Sequence, residues 1–228
     1  MPVTSQKTRA RRIPMSPRCH FYDTNSYMLS VHGLTCVRGE RKLFAGLDFV
    51  LEPGQWLHVR GENGSGKTSL LRLLAGLSTP EAGRIAWCGQ AIRDTAEPYR
   101  RALLFLGHHG ALKEELTALE NLLFSAELDG ANLPESEAIS VLTRFGLRGR
   151  EDLPVRWMSA GQKRRVLLAR LLTRKAKMWV LDEPFTALDV KAVDLLLDLI
   201  REHLGAQGMV ILTSHQSIAL PGGRELQL

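Results

Sequence analysis

The feature that most constrains the fold is a glycine-rich loop between an apolar run and an amphipathic helix. Residues 61–68 read Gly-Glu-Asn-Gly-Ser-Gly-Lys-Thr, a complete Gly-x4-Gly-Lys-Thr phosphate-loop pattern. The run at 56–60 precedes the loop and predicts a strand, and leucines at a 3.6-residue period follow it and predict a helix. A chain with this order is expected to bind phosphate where the strand ends and the helix begins.

The residue types of the loop predict a nucleoside triphosphate and a magnesium ion as ligands. Glycine lets the backbone approach phosphate closely, and successive N–H groups at a helix N-terminus present positive potential to it. We expect Lys67 to reach the terminal phosphates and the Thr68 hydroxyl to contact Mg²⁺. The predicted binding set of the loop is Gly61, Glu62, Asn63, Gly64, Ser65, Gly66, Lys67 and Thr68.

Two adjacent carboxylates follow a second apolar run. Asp182 and Glu183 come directly after Met-Trp-Val-Leu at 178–181, which predicts a strand buried on both faces. An aspartate at the carboxyl end of such a strand is placed to hold Mg²⁺, usually through water, and the next acid can orient or deprotonate an attacking water. An Asp-Glu-Pro turn is common by itself, but the phosphate loop in the same chain favours the functional interpretation.

Two further patterns allow two interpretations each. Ser159 and Gln162 have the spacing of a capping box, which stabilises a helix N-terminus. Because Gly161 removes side-chain bulk, the same backbone amides also predict an anion site. His215 ends a strand predicted at 209–214, on the edge of the sheet where ligands bind, although a lone histidine there is more often structural.

Short apolar runs alternate with helical periods from Met28 onward, and this alternation predicts an α/β fold. Thr117 and Glu120 have capping-box spacing ahead of one further helix. We therefore predict a core sheet flanked by helices over residues 28–228, with a helical subdomain inserted at about residues 92–157.

Charge and cysteine usage exclude several classes of protein. The net charge is +6, but residues 1–27 carry five basic residues and one acid, so they contribute +4 and leave +2 for the rest. We predict that this extension is disordered or precedes the true start, and we expect no nucleic-acid partner. The three cysteines, Cys19, Cys36 and Cys88, form no Cys-x-x-Cys unit, which argues against a disulfide framework or a zinc site. No run approaches the ~18 to 20 apolar residues of a membrane-spanning helix, and no apolar run follows the basic N-terminus as in a signal peptide.

The motifs, in their order along the chain, resemble the nucleotide-binding domain of an ATP-binding cassette (ABC) transporter. They are the phosphate loop, Ser-Ala-Gly-Gln at 159–162, Val-Leu-Asp-Glu-Pro at 180–184, Ala-Leu-Asp at 187–189 and Thr-Ser-His at 213–215. The resemblance implies a phosphate-loop ATPase that uses ATP and Mg²⁺ and acts as a head-to-tail pair, in which the Ser-Ala-Gly-Gln segment of one copy closes on the ATP of the other. It assigns catalytic roles to Glu183, His215 and Lys67, further nucleotide contacts to Arg38, Ser159, Gly161, Gln162 and Asp189, and metal contacts to Thr68, Asp182 and His109.

Two of these positions depart from the superfamily's pattern. Where the superfamily has a glutamine between its two lobes, this chain has His109, whose neutral imidazole can still hydrogen-bond a metal-bound water. Where the superfamily stacks an aromatic ring on adenine, the matching position is Arg38, and a guanidinium also stacks on a base; Phe44 is the alternative. A haem site at His108 and His109 is less favoured than a surface or hydrogen-bonding role.

Within the superfamily, several further short segments are similar to those of the ATP-binding subunits of cytochrome c maturation haem exporters. Gly-His at 107–108, Leu-Thr-Ala-Leu-Glu-Asn at 116–121, Ser-Ala-Gly-Gln in place of Ser-Gly-Gly-Gln, and His-Gln at 215–216 carry the similarity. It implies a peripheral subunit on the cytoplasmic face of the bacterial inner membrane, docked to an integral membrane permease and working with haem-handling membrane proteins, where ATP hydrolysis releases a haem-loaded chaperone. An ABC subunit for another exported cargo, a lipid or polysaccharide, is the alternative. A soluble ABC ATPase of DNA repair or translation is less favoured, because this chain lacks a coiled-coil insertion, zinc cysteines and a second cassette.

Overall fold

The structure, a computed structural model, describes residues 27–107, 111–216, 218 and 220–228. The predicted α/β class is confirmed. The strands are β1 (Leu29–Arg38), β2 (Arg41–Leu51), β3 (Trp56–Arg60), β4 (Ala82–Trp87), β5 (Gln90–Ala91), β6 (Leu103–Leu106), β7 (Met178–Leu181), β8 (Met209–Thr213) and β9 (Gly223–Gln227). The helices are α1 (Lys67–Leu74), α2 (Ala96–Ala102), α3 (Ala118–Leu128), α4 (Glu135–Arg144), α5 (Ala160–Thr173) and α6 (Val190–Gly205), with a 3₁₀ turn at Val155–Trp157.

A parallel sheet with the strand order β6-β7-β8-β3-β9 lies at the centre of the fold. Its neighbouring strands pair in parallel, for example Trp179 with Val210 and Leu57 with Ile211. Because the carboxyl ends of parallel strands meet at one edge, the segments that follow β3, β7 and β8 emerge side by side there. These segments contain the phosphate loop, the two adjacent carboxylates and His215.

Side chains of the parallel sheet alternate between two apolar cores. Met178 and Val180 of β7 pack in the core that also contains the leucines of α1. Trp179 and Leu181 of the same strand pack in the other core, with residues of α3, α4, α5 and α6. Burial on both faces explains why this strand reads as a continuous apolar run in the sequence.

A second, antiparallel sheet with the order β2-β1-β4-β5 covers the core around α1. Its β1 and β2 form a hairpin whose register runs from Leu29 opposite Leu51 to Arg38 opposite Arg41. Gly39 lies in the turn at a φ of 61°, a left-handed conformation that glycine adopts without a steric penalty. The hairpin therefore places two arginines together at its tip.

Helices α3, α4 and α5 pack against one another. The capping box predicted before α3 is present, because the Thr117 hydroxyl accepts from the Glu120 N–H at 3.1 Å and the Glu120 carboxylate accepts from the Thr117 N–H at 2.8 Å. The predicted lower boundary near residue 92 differs from the structure, since β6 belongs to the parallel sheet, where Leu104 pairs with Trp179. Four apolar residues directly after a helix gave no separate strand signal in the sequence.

The described residues contain no helix that is both long enough and apolar enough to cross a membrane. Cys36 and Cys88 are buried thiols, while Cys19 and the rest of the predicted extension up to residue 26 lie outside the described residues.

Candidate active site

Glycines shape the loop that joins β3 to α1. Gly61, Gly64 and Gly66 have φ angles of 151°, 80° and 108°, all in the region that favours glycine. A Cβ added to Gly61 would lie 2.5 Å from the Ser65 Oγ, and one added to Gly66 would lie 3.1 Å from the Leu43 Cβ. The loop therefore packs against its own Ser65 at one end and against Leu43 of the β1–β2 hairpin at the other, and this leaves its backbone curved around a space for a ligand.

The Lys67 ammonium lies over this loop. It donates to the backbone carbonyl of Gly61 at 2.7 Å and to that of Glu62 at 3.1 Å, and no carboxylate among the described residues forms an ion pair with it. The Ser65 hydroxyl is buried in the same loop and makes no hydrogen bond to the described residues. A buried cation with only neutral partners and an unused hydroxyl donor fit a bound phosphate chain.

Asp182 lies at the carboxyl end of β7 and accepts from two hydroxyl groups. The Thr68 Oγ1 donates to its Oδ2 at 2.8 Å, and the Thr213 Oγ1 donates to its Oδ1 at 2.8 Å. Asp182 is 2% exposed and Thr213 is fully buried, so the hydrogen bond between them lies away from solvent, whereas Thr68 is exposed on the side of the cleft. The structure therefore brings together Thr68 and Asp182, the two described residues predicted to hold the metal.

A magnesium ion fits this pair. Mg²⁺ usually binds one or two protein oxygens together with substrate phosphates and water, rather than a cage of protein ligands. Within the part of the chain that the structure describes, no cluster of three His, Cys, Asp or Glu side chains could hold a metal ion by itself. The hydroxyl of Thr68 beside the carboxylate of Asp182, next to a phosphate loop, provides the small donor set that Mg²⁺ requires.

Glu183 follows Asp182 in a left-handed backbone conformation, with a φ of 49°. This conformation is costly for a residue with a side chain, by about 1 kcal/mol. The Glu183 N–H donates to the Thr213 Oγ1 at 2.8 Å, while its Oε1 is buried and makes no hydrogen bond. The His215 Nε2 lies 3.4 Å from that Oε1, within ion-pair range but without hydrogen-bond geometry. A carboxylate oxygen with no donor of its own, beside a histidine, is suited to orient a water molecule.

Arg164, in the second turn of α5, fixes the backbone of the carboxylate segment. Its guanidinium donates to the carbonyls of Asp182 at 2.9 Å, Glu183 at 2.7 Å and Pro184 at 3.3 Å, and also to that of Gly107 at 3.3 Å. Burial lowers the pKa of this guanidinium, and the nearby carboxylates of Asp182 and Glu183 oppose that shift. The sequence analysis missed Arg164, because an arginine in a basic stretch of helix reads as solvent-exposed.

These groups surround one cleft of about 540 Å³. Its lining includes Lys67, Thr68, Asp182, Glu183 and His215 from the sheet edge, Asn63, Gly64 and Gly66 from the loop, and Arg38, Arg41 and Leu43 from the hairpin. Arg38 is thus placed where a base could lie against it, and Arg41 joins it as a second cation that the sequence analysis did not single out.

A second cleft, of about 650 Å³, lies between the end of α1 and α2 and includes Arg84, Arg93 and Arg100. No residue of the predicted site lines it, so the smaller cleft is the candidate site.

The Ser-Ala-Gly-Gln segment lies outside the cleft. The Ser159 hydroxyl accepts from the Gln162 N–H at 3.2 Å and the Gln162 side chain accepts from the Ser159 N–H at 2.9 Å, which is the capping box of α5. A Cβ added to Gly161 would lie 2.7 Å from the Ala187 carbonyl oxygen, so glycine here allows close approach of the segment that follows the carboxylates.

Asp189 likewise lies outside the cleft, at the N-terminus of α6. Its Oδ1 accepts from the Ala192 N–H at 2.9 Å and its Oδ2 accepts from the Arg165 guanidinium at 2.5 Å. The Ala192 hydrogen bond, and then Arg165, hold the pKa of Asp189 below its ordinary value. Asp189 is therefore ionised and joins α5 to α6 within one chain. His109, the remaining predicted metal contact, lies outside the described residues.

Thr213 is a second residue whose role sequence reasoning missed, since a threonine at a strand end carries no signal of its own. The sequence could have indicated this role only if the motifs at 180–184 and 213–215 were considered together, because β8 neighbours β7 and both strands end at the same edge of the sheet.

Comparisons with known proteins agree with this geometry. A family model described as ABC transporter matches residues 44–186. The chain is 55% identical over 203 residues, 88% of its length, to all of the cytochrome c biogenesis ATP-binding export protein CcmA of Dechloromonas aromatica, and 50% identical over 198 residues, 87% of its length, to 93% of the protein of that name from Salmonella typhi.

Among solved structures, an ATP-binding subunit of an ABC transporter aligns with a TM-score of 0.74 at 28% identity, covering 82% of this chain and 79% of the other. A putative ABC transporter ATP-binding protein from Pyrococcus furiosus aligns with a TM-score of 0.76 at 25% identity, covering 87% of this chain and 97% of the other.

Proposed function

The chain belongs to the ABC transporter family, as an ATPase of that type, and from this premise we propose that it is the ATP-hydrolysing subunit of a membrane complex for haem export or delivery in c-type cytochrome biogenesis. The observation that carries the pathway is the 55% identity over 203 residues to a cytochrome c biogenesis ATP-binding export protein, which the chain covers in full. The cleft carries the chemistry.

Each group in the cleft has a role in hydrolysis. The loop amides and the Lys67 ammonium bind the phosphate chain, because they supply positive charge with no carboxylate to neutralise it. Thr68 and Asp182 hold Mg²⁺, which when bound neutralises charge on the phosphates. Glu183 orients the attacking water through its unpaired Oε1 or accepts its proton, and His215, whose Nε2 lies 3.4 Å from that oxygen, would contact the γ-phosphate.

The working unit is a head-to-tail pair of this chain. Ser159, Gly161 and Gln162 form a helix N-terminus with exposed polar groups, yet this N-terminus does not line the cleft of its own chain. Because a helix N-terminus attracts anions, this segment would contact the phosphates of ATP bound in the cleft of a second copy. Closure of two copies on ATP would move an integral membrane permease at the cytoplasmic face of the bacterial inner membrane, and hydrolysis would reset the pair so that haem-handling partners release a haem-loaded chaperone.

Purification from native membranes tests the pathway. The tagged full-length chain is isolated in mild detergent and its partners are identified by mass spectrometry, with a strain that produces the tag alone as the control. We expect polytopic proteins of cytochrome c maturation. A permease for lipid or polysaccharide would contradict the haem assignment and leave the ATPase in place, and ribosomal or DNA-repair proteins would contradict the membrane complex altogether.

Genetic complementation tests the link between the cleft and the pathway. A strain without the gene should lack c-type cytochromes, and the wild-type chain should restore them. The Glu183→Gln variant, present at the same level, should not, because it lacks the carboxylate that handles the water. Restoration by this variant would show that hydrolysis at this site does not drive the pathway.

A further inference from the structure

Arg164 links three parts of the chain through one buried guanidinium. It belongs to α5, five residues after Ser159, and donates to carbonyls on the segment after β7 and to Gly107 at the end of β6. The residue is 8% exposed. Its hydrogen bonds within the described residues all go to backbone carbonyls, and the carboxylates of Asp182 and Glu183 attract its charge without a hydrogen bond to it.

We propose that Arg164 is a positioning residue for ATP hydrolysis. From α5, whose N-cap is Ser159, it holds the Glu183 backbone in its left-handed conformation and thereby sets the direction of the Glu183 carboxylate. The proposal rests on the ATPase function of the cleft and adds to it a residue that does not touch nucleotide.

The geometry at Glu183 gives the physical reason. A residue with a side chain at a φ of 49° is strained and keeps that conformation only where its surroundings hold it. Three hydrogen bonds to the Glu183 backbone hold it here. The Glu183 N–H donates to Thr213 at 2.8 Å, and the Glu183 carbonyl accepts from the Arg164 Nη2 at 2.7 Å and from the Thr186 N–H at 3.2 Å. The Oε1 of the Glu183 side chain is buried and makes no hydrogen bond within the described part of the chain. The direction of the carboxylate therefore depends on the backbone, which Thr213, Arg164 and the local Thr186 N–H hold; Arg164 and Thr213 are the two side chains among these supports.

The position of Arg164 on α5 adds a second consequence. The N-terminus of this helix carries the Ser159–Gln162 capping box, which in the proposed pair faces the ATP of the other copy. A rotation or shift of α5 would carry the guanidinium with it and change its contacts with the carbonyls of Asp182 and Glu183. Contact of one copy with nucleotide is thus coupled to the water-orienting carboxylate on the same chain.

A planar guanidinium suits this task better than an ammonium. Its five N–H donors point in fixed directions and can serve several carbonyls at once, whereas a lysine ammonium is a flexible point donor. Burial lowers the pKa of Arg164, but an arginine guanidinium is not deprotonated in proteins, so all of its N–H donors are retained.

The test compares two arginines of α5. Arg164→Met removes the buried guanidinium beside the site, and Arg170→Met removes a partly buried one that pairs with Asp129, away from the cleft. Turnover, the KM for MgATP, ATP binding and the melting temperature are measured on the full chain in the complex recovered from native membranes. Arg164→Met should lower kcat about 100-fold, the order expected when a catalytic group is displaced by about 1 Å, with the KM and ATP affinity within about twofold of wild type. Arg170→Met should leave kcat within about twofold even if it lowers the melting temperature.

Conservative variants keep the proposal falsifiable if Arg164→Met folds poorly. Arg164→Lys supplies a charged donor of similar length and should recover part of the lost kcat, about tenfold above Arg164→Gln. An unchanged kcat in Arg164→Met, an equal kcat in the lysine and glutamine variants, or a loss that Arg170→Met reproduces would overturn the positioning role. Failure of the wild-type chain to hydrolyse ATP would instead contradict the proposed function.

Discussion

Thr213→Val removes one hydroxyl that serves both carboxylate residues of the site. The Thr213 Oγ1 donates to the Asp182 Oδ1 and accepts from the Glu183 N–H, each at 2.8 Å, and valine fills the same space with a methyl group. Loss of a hydrogen bond to the charged Asp182 costs about 2 kcal/mol, and a Glu183 N–H left buried without a partner costs about 2 kcal/mol more. The free energy of unfolding should fall by about 4 kcal/mol, which for a chain of this length lowers the melting temperature by about 12 °C.

The measurement is thermal and urea unfolding of the full chain without nucleotide, for wild type, Thr213→Val and Thr213→Ser. Serine keeps the hydroxyl and loses one buried methyl group, so it should cost about 1 kcal/mol. A loss of less than about 1 kcal/mol in the valine variant, or equal losses in both variants, would refute the bridging role of the hydroxyl.

Three further predictions test other parts of the structure. Gly61→Ala should weaken ATP binding, measured by equilibrium titration, by about tenfold or more, because its Cβ would lie 2.5 Å from the Ser65 Oγ at a φ of 151°; unchanged affinity would contradict the closed loop. Gly161→Ala should lower the free energy of unfolding by about 2 kcal/mol, since its Cβ would lie 2.7 Å from the Ala187 carbonyl oxygen; an unchanged melting temperature would contradict the close approach. Burial lowers the pKa of His203 to about 4 in the folded chain, below the unfolded value of 6.5. The free energy of unfolding should therefore be highest above pH 6.5 and should fall by about 3 kcal/mol in all as the pH falls towards 4. His203→Phe should flatten urea-unfolding stability over that pH range, and an unaltered slope would contradict the assignment.

The part of the site that the sequence predicted follows from local spacing. The phosphate loop and the two carboxylates are contiguous in sequence, and the rule that ligands bind at the carboxyl edge of a parallel sheet places them together. Lys67, Thr68, Asp182, Glu183 and His215 do line one cleft.

The part that the sequence did not predict depends on tertiary contacts. Arg164 contacts the backbone carbonyl of Asp182 across 18 positions of the chain, and Thr213 contacts the Asp182 carboxylate across 31 positions. No residue pattern predicts a guanidinium that bonds to backbone carbonyls. The short strand β6 was missed for a related reason, because four apolar residues after a helix acquire their identity only by pairing with β7. Within one chain Asp189 caps α6 and pairs with Arg165, and the nucleotide contact that the family resemblance implies for it in a pair of chains stays a prediction.

The central claim is that this cleft hydrolyses ATP through the Glu183 carboxylate. The most direct test measures ATP affinity and steady-state turnover of wild type and Glu183→Gln in the complex recovered from native membranes. The account predicts ATP affinity within about twofold and turnover lower by about 1000-fold, the order expected on removal of a general base. Normal turnover in the glutamine variant, with ATP bound as tightly as in wild type, would contradict the account.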